Sequence, residues 1–210
     1  TTVTPLLKLS ALIDSFNEAI GKFIRWLVLG AVLISAGNAL VRKIFNTSSN
    51  SLLEIQWYLF AGVFMLGVGY VFLHNAHVRI DFISARLSER TNATIDAVGM
   101  IVFTIPLAII MISLGWPLFH NAWVSGEMSQ NAGGLIRWPV LLLIPTGFGL
   151  LLIQSVSELI KRIAFLSGHG PNPLLKRGAA VAAAEELMAA IKAQDKLGGK
   201  EGGGSGGVVK

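Results

Sequence analysis

The chain of 210 residues is 53% hydrophobic and only 14% charged, with a mean hydropathy of +0.64. Soluble domains carry charge on about a quarter of their residues, so this composition excludes an ordinary water-soluble globule and points to a protein dissolved in lipid. The net charge of +5 does not signal nucleic acid, because Lys and Arg punctuate the ends of apolar blocks, and the absence of cysteine excludes disulfides, thiolate metal sites and cysteine nucleophiles.

Residues 1–25 read as an amphipathic helix. Leu6, Leu9, Ile13, Phe16, Ile20 and Phe23 recur at spacings of three and four, while Lys8, Asp14, Asn17, Glu18 and Lys22 take other positions. Thr4-Pro5 supplies a cap and a first-turn proline. Such a helix lies in the membrane interface or against a partner. A membrane span needs about 20 apolar residues, or fewer with tilt. Four segments qualify, at 26–41, 55–73, 97–119 and 138–160, and the first reads as a retained signal-anchor. Trp26, Trp57, Trp116, Trp123 and Trp138 lie at or near their ends, where indole anchors in the headgroup zone. Residues 77–94 form a shorter amphipathic link, with Ile80, Ile83 and Leu87 on one face. The loop at 120–137, with Gly126, Gly133 and Gly134, is expected to be mobile or ordered by a partner. Residues 161–210 read as a soluble tail with a helix over 179–197 and a flexible Gly-rich end. The expected fold is all-α: an integral membrane bundle of four transmembrane helices with amphipathic interfacial helices.

Orientation follows from the basic residues. With the N-terminus inside, the inner segments hold Lys8, Lys22, Arg25, Arg79, Arg86, Arg90, Lys161, Arg162, Lys176 and Arg177, against Arg42, Lys43 and Arg137 outside. That asymmetry places both termini in the cytoplasm and the 120–137 loop in the periplasm.

Little in these spans can do chemistry alone. His74, His77, His120 and His169 do not sit on different helices at matching depth, so no haem pair is available. The span middles carry no ionisable residue; Ser35, Asn38, Gln154 and Ser155 are their polar content, and Asp96 sits at an end. A solute path or a membrane active site would need buried ionisable groups, so no catalytic, cofactor or metal residue is expected. Pro106 and Pro145 read as packing kinks.

The candidate structural or partner-contact residues are few. Ala31, Ser35 and Ala39 make a small-residue stripe that allows close helix approach. Ser51-Leu-Leu-Glu54 has the form of a capping box, and Glu54 with Gln56 and Trp57 also makes a polar–aromatic cluster suited to gripping another protein. His77, Arg79 and Asp81 form either a solvated turn or an ion-paired elbow after the second span.

Glu54-Ile-Gln-Trp-Tyr-Leu-Phe60, His77-Val-Arg-Ile-Asp81, and Ile144-Pro-Thr-Gly-Phe148 followed by Leu150-Leu-Leu-Ile-Gln154 resemble the small (Q-type, DctQ-like) membrane subunit of tripartite ATP-independent periplasmic (TRAP) transporters. The resemblance covers residues 15–165. It implies an accessory subunit of a sodium-driven bacterial solute importer, in the inner membrane, docked on the scaffold of a large multi-span permease subunit and binding no substrate itself, with a periplasmic solute-binding protein, which it helps to dock, as the third component. Glu54, Gln56, Trp57, His77, Arg79, Asp81 and Gln154 then become contact or structural residues. A redox membrane anchor and a free-standing small transporter are the competing classes.

Overall fold

The computed structural model describes residues 3–45, 50–74, 87–131 and 133–170. Four helices dominate it: α1 (Val3–Phe45), α2 (Asn50–Leu73), α3 (Glu89–Ser125) and α4 (Trp138–Leu166). Each is long and apolar enough to cross a membrane. They run up and down in alternation. The α1–α2 and α3–α4 connections mark one end, here the hairpin end; the starts of α1 and α3 and the close of α4 mark the other, the base.

α1 differs from the segmentation expected at its N-terminus. The amphipathic segment and the first span form one unbroken helix, because no glycine–proline breaker or polar run separates Lys22 from Trp26. α3 likewise extends beyond 97–119. It starts at the Ser88 cap, whose hydroxyl accepts from the Thr91 amide, and ends at Gly126, whose left-handed φ of 63° suits glycine. The first part of the 77–94 link and the tail from 171 onward lie outside the described residues. Within α3 a π turn occupies Met100–Thr104, with the Ile105 amide bonded to the Met100 carbonyl. Pro106 follows directly and has no N–H to return to the preceding turn, which accounts for the altered ladder.

α4 is the axis of the assembly. It packs against α1, α2 and α3, whereas α3 reaches the others chiefly through α4. About 39% of its most apolar window is buried, against 11% for α1 and α2. The interior is made mostly of small and polar side chains, with Met100, Leu150 and Leu151 the larger apolar exceptions. Buried apolar residues include Ala31, Ala93, Ala97, Ala108 and Ala122, and the largest fully buried side chains are Gln154 and Asn17. Lipid is as apolar as leucine, so burying large aliphatic groups gains little here, and close backbone contact does the holding. Gly147 is the tightest such contact between α4 and α2: a Cβ there would lie 2.5 Å from the Met65 carbonyl oxygen. Gly147→Ala is expected to cost about 1–3 kcal/mol by overpacking. Gly149→Ala, which meets open space, should be neutral or stabilising. Unfolding midpoints of the two variants in detergent check this; equal midpoints would contradict the packing.

Candidate functional site

Polar side chains gather in two clusters, one at each end of the bundle. At the base, Ser10, Asp14 and Asn17 share one face of α1 and meet Gln154, Ser157 and Lys161 on one face of α4. Asn17 Nδ2 donates to Gln154 Oε1 at 2.8 Å, and Gln154 Nε2 donates to Asp14 Oδ1 at 3.0 Å. Ser157 Oγ donates to Asp14 Oδ1 at 2.8 Å, and the Ser10 and Ser157 hydroxyls lie 2.7 Å apart. Lys161 Nζ closes the group with ion pairs to Asp14 (2.5 Å) and Glu158 (2.6 Å). On the adjoining face of α4, Arg162 bonds Glu158 at 2.5 Å and Asp96 of α3 at 3.3 Å. Arg162 and Glu158 side chains are each 3% exposed. Removing one partner of such a buried pair typically costs about 3–5 kcal/mol, because the other charge is left stranded. The network therefore ties α1, α3 and α4 at one level. Nearby, His74 at the end of α2 meets Glu18 of α1 at 2.9 Å, bringing in the fourth helix.

The hairpin-end cluster centres on Glu54. Its carboxylate accepts from Ser129 Oγ, from Asn131 Nδ2 at 2.7 Å and from the Leu135 amide at 2.6 Å. Ser51 Oγ donates to the Gly133 carbonyl, and Tyr58 OH donates to the Ile136 carbonyl at 3.1 Å. These bonds fasten the α3–α4 loop onto the first turns of α2. The loop adds an antiparallel bridge between Met128 and Ile136, with Ser129 N to Leu135 O at 2.8 Å and Arg137 N to Glu127 O at 2.9 Å. Its described residues are thus fastened by bonds within the chain itself, where the sequence suggested mobility or ordering by a partner. Its three glycines misled that expectation, since the carboxylate that orders the loop sits on another helix. Ser51 and Glu54 do not form a capping box either. Both side chains are spent on the loop instead of the opening amides of α2.

The remaining expected residues separate. Ala31 is fully buried, Ser35 half-buried and Ala39 exposed, so the small-residue stripe rotates out of the interface along α1. Gln56 and Trp57 do not join Glu54. Trp57 points outward at 61% exposure, and Gln56 borders an open groove with Ser35 and Ala39. Gln154 is fully buried in the base network. His77, Arg79 and Asp81 lie outside the described residues. The base ion pairs were missed, although Asp14 and Lys161 occupy matching polar faces. Spacing alone cannot show that two polar faces meet.

A family model described as "Tripartite ATP-independent periplasmic transporters, DctQ component" matches residues 31–165. The chain belongs to this family. It is a multi-pass membrane protein and the small component of a TRAP transporter, and the family is a transporter component, not an enzyme family. No curated protein and no solved structure matches the chain. The matched stretch runs from mid-α1 to the end of α4 and contains the Glu54 cluster and the α4 side of the base network.

In this DctQ-family chain, Glu54→Gln replaces one acceptor oxygen with an NH2 group. Facing Leu135, that group meets another N–H and the Leu135 bond is lost; facing Ser129 and Asn131, it opposes the Asn131 amide donor and loosens the loop from that side. The expected outcome is amide exchange at Leu135 about tenfold faster or more, with helix content unchanged. Hydrogen exchange read by mass spectrometry checks it; unchanged protection across 127–137 would contradict the role given to Glu54.

Proposed function

We propose that the chain is the static accessory subunit of a sodium-driven solute importer in the bacterial inner membrane. Both termini face the cytoplasm, and the hairpin end with its Glu54-held loop faces the periplasm. The outer apolar faces of α1 and α3 dock on the large permease subunit, which carries the solute and sodium sites. The loop from Gly126 to Arg137 contributes to seating the periplasmic solute-binding protein. The chain widens and steadies the permease scaffold and does not conduct solute itself.

Family membership carries the transporter part of this reading. The distribution of polarity supports the scaffold part. Among the described residues, the buried charges Glu158 and Arg162 pair with each other and, through Lys161, Asp14 and Asp96, with groups at the same end, and the buried Glu54 carboxylate is taken up by the α3–α4 loop, so none is left over to line a path. Large apolar groups face outward instead: Phe64 is 74% exposed, Phe103 72% and Trp26 70%. Patches of that size are covered either by lipid or by a membrane partner.

Co-expression with a large permease subunit should yield a stable complex. Proteoliposomes holding that complex plus binding protein should take up solute only under an inward sodium gradient, and the chain alone should give none. Because the chain has no cysteine, Met128→Cys can be labelled without background; an impermeant maleimide should reach it from the periplasm. Uptake by the chain alone, or labelling only from the cytoplasm, would overturn the corresponding part of the proposal.

A further inference from the structure

Between the hairpin ends of α1 and α2 lies an open groove of about 540 Å³, within the size range of small-ligand sites, about 300–1,000 Å³. Ser35, Asn38 and Arg42 line it from α1, on one helical face, and Gln56 lines it from α2. Lys43 stands at its edge. Every one of these side chains can donate a hydrogen bond, and among the described residues no carboxylate lines the groove.

Two features show that this lining is unfinished. Among the described residues, neither Arg42 nor Lys43 makes an ion pair. Asn38 is 7% exposed, yet its side-chain carbonyl is buried without a donor. An amide left in that condition is costly, and a change of rotamer that brings both its ends to the groove lets a ligand that both accepts and donates relieve it. The two cations also complement the carbonyl end of α1, but that accounts for their charge and not for the stranded amide.

We propose that this groove is a binding site for one anionic glycerophospholipid whose headgroup carries a phosphate and free hydroxyl groups. The phosphate sits between Arg42 and Lys43, with Gln56 and Ser35 as further donors, and a headgroup hydroxyl reaches the Asn38 amide. Lipid is favoured over a protein segment by position. The groove opens at the ends of two membrane-spanning helices, where headgroups lie. Its flank on α2 is apolar and exposed, with Leu53 at 38% and, one and two turns on along the same helical face, Trp57 at 61% and Phe60 at 40%, a surface along which an acyl chain can run. Cations at headgroup depth are drawn to the phosphates of anionic lipids. The inference concerns this chain alone and stands apart from the choice of permease partner.

Native mass spectrometry of the full chain, released from detergent with phosphatidylglycerol or phosphatidylcholine, tests it. The expected result is one phosphatidylglycerol retained per chain, with phosphatidylcholine retained about tenfold less or weaker still. Arg42→Gln with Lys43→Gln should reduce phosphatidylglycerol retention by a similar factor, and these exposed positions leave the fold intact. Asn38→Leu should weaken retention several-fold, with helix content followed by circular dichroism. Equal retention of the two lipids, or full retention by the double variant, overturns the site. Displacement by millimolar inorganic phosphate overturns it in favour of a free-anion site, and loss of lipid on assembly with a membrane partner overturns it in favour of a partner segment.

Discussion

Lipid offers no hydrogen bonds, so each polar side chain on a spanning helix must find its partner within the protein or at the headgroups. This constraint organises the whole chain. Asp14, Asn17, Gln154, Ser157, Glu158, Lys161 and Arg162 collect at the base because none of them can face hydrocarbon cheaply. Glu54 collects the loop at the other end for the same reason. Between these two ties the helices approach closely at alanine and glycine, a few larger groups such as Met100, Leu150 and Leu151 fill the interior, and many large apolar side chains are left on the outside.

The result inverts the soluble pattern along α1. Of the apolar stripe, Leu6, Leu9, Phe16 and Phe23 are about half exposed or more and Ile13 and Ile20 are half-buried, while Ser10 and Asn17 of the polar face are buried. The two faces were legible as a periodicity of three and four, but periodicity does not say which face turns inward. In water the apolar stripe would be buried. Here α4 presents Gln154, Ser157 and Lys161 to α1, and it is this complementary polar face that decides the rotation of the helix.

The span count, the all-helical class and the family were legible because they rest on long apolar runs and on short motifs along one chain. The Glu54 cluster was only half legible. Ser51 and Glu54 stand at capping spacing, and their diversion to Ser129, Gly133 and Leu135 depends on a loop more than seventy positions away. The same limit hid the Arg162–Asp96 pair, which joins α4 to the start of α3. Contacts of that range follow from how α4 sits at the centre of the assembly, and no local pattern in α1 or α3 encodes it.

A chain tied internally at both ends and apolar outside is suited to being a rigid neighbour in a membrane assembly. The inward rotation of the polar face of α1 is the most direct point of attack. Spin labels placed singly at residues 9–23 of this cysteine-free chain, in bilayers, report oxygen access from lipid and nickel-chelate access from water. High oxygen access at Leu9, Leu12, Phe16 and Phe23, with both reagents excluded at Ser10, Asp14 and Asn17 and a period of about 3.6 residues, is the expected result. Nickel access at Ser10 and Asn17, with the apolar positions protected, would contradict it.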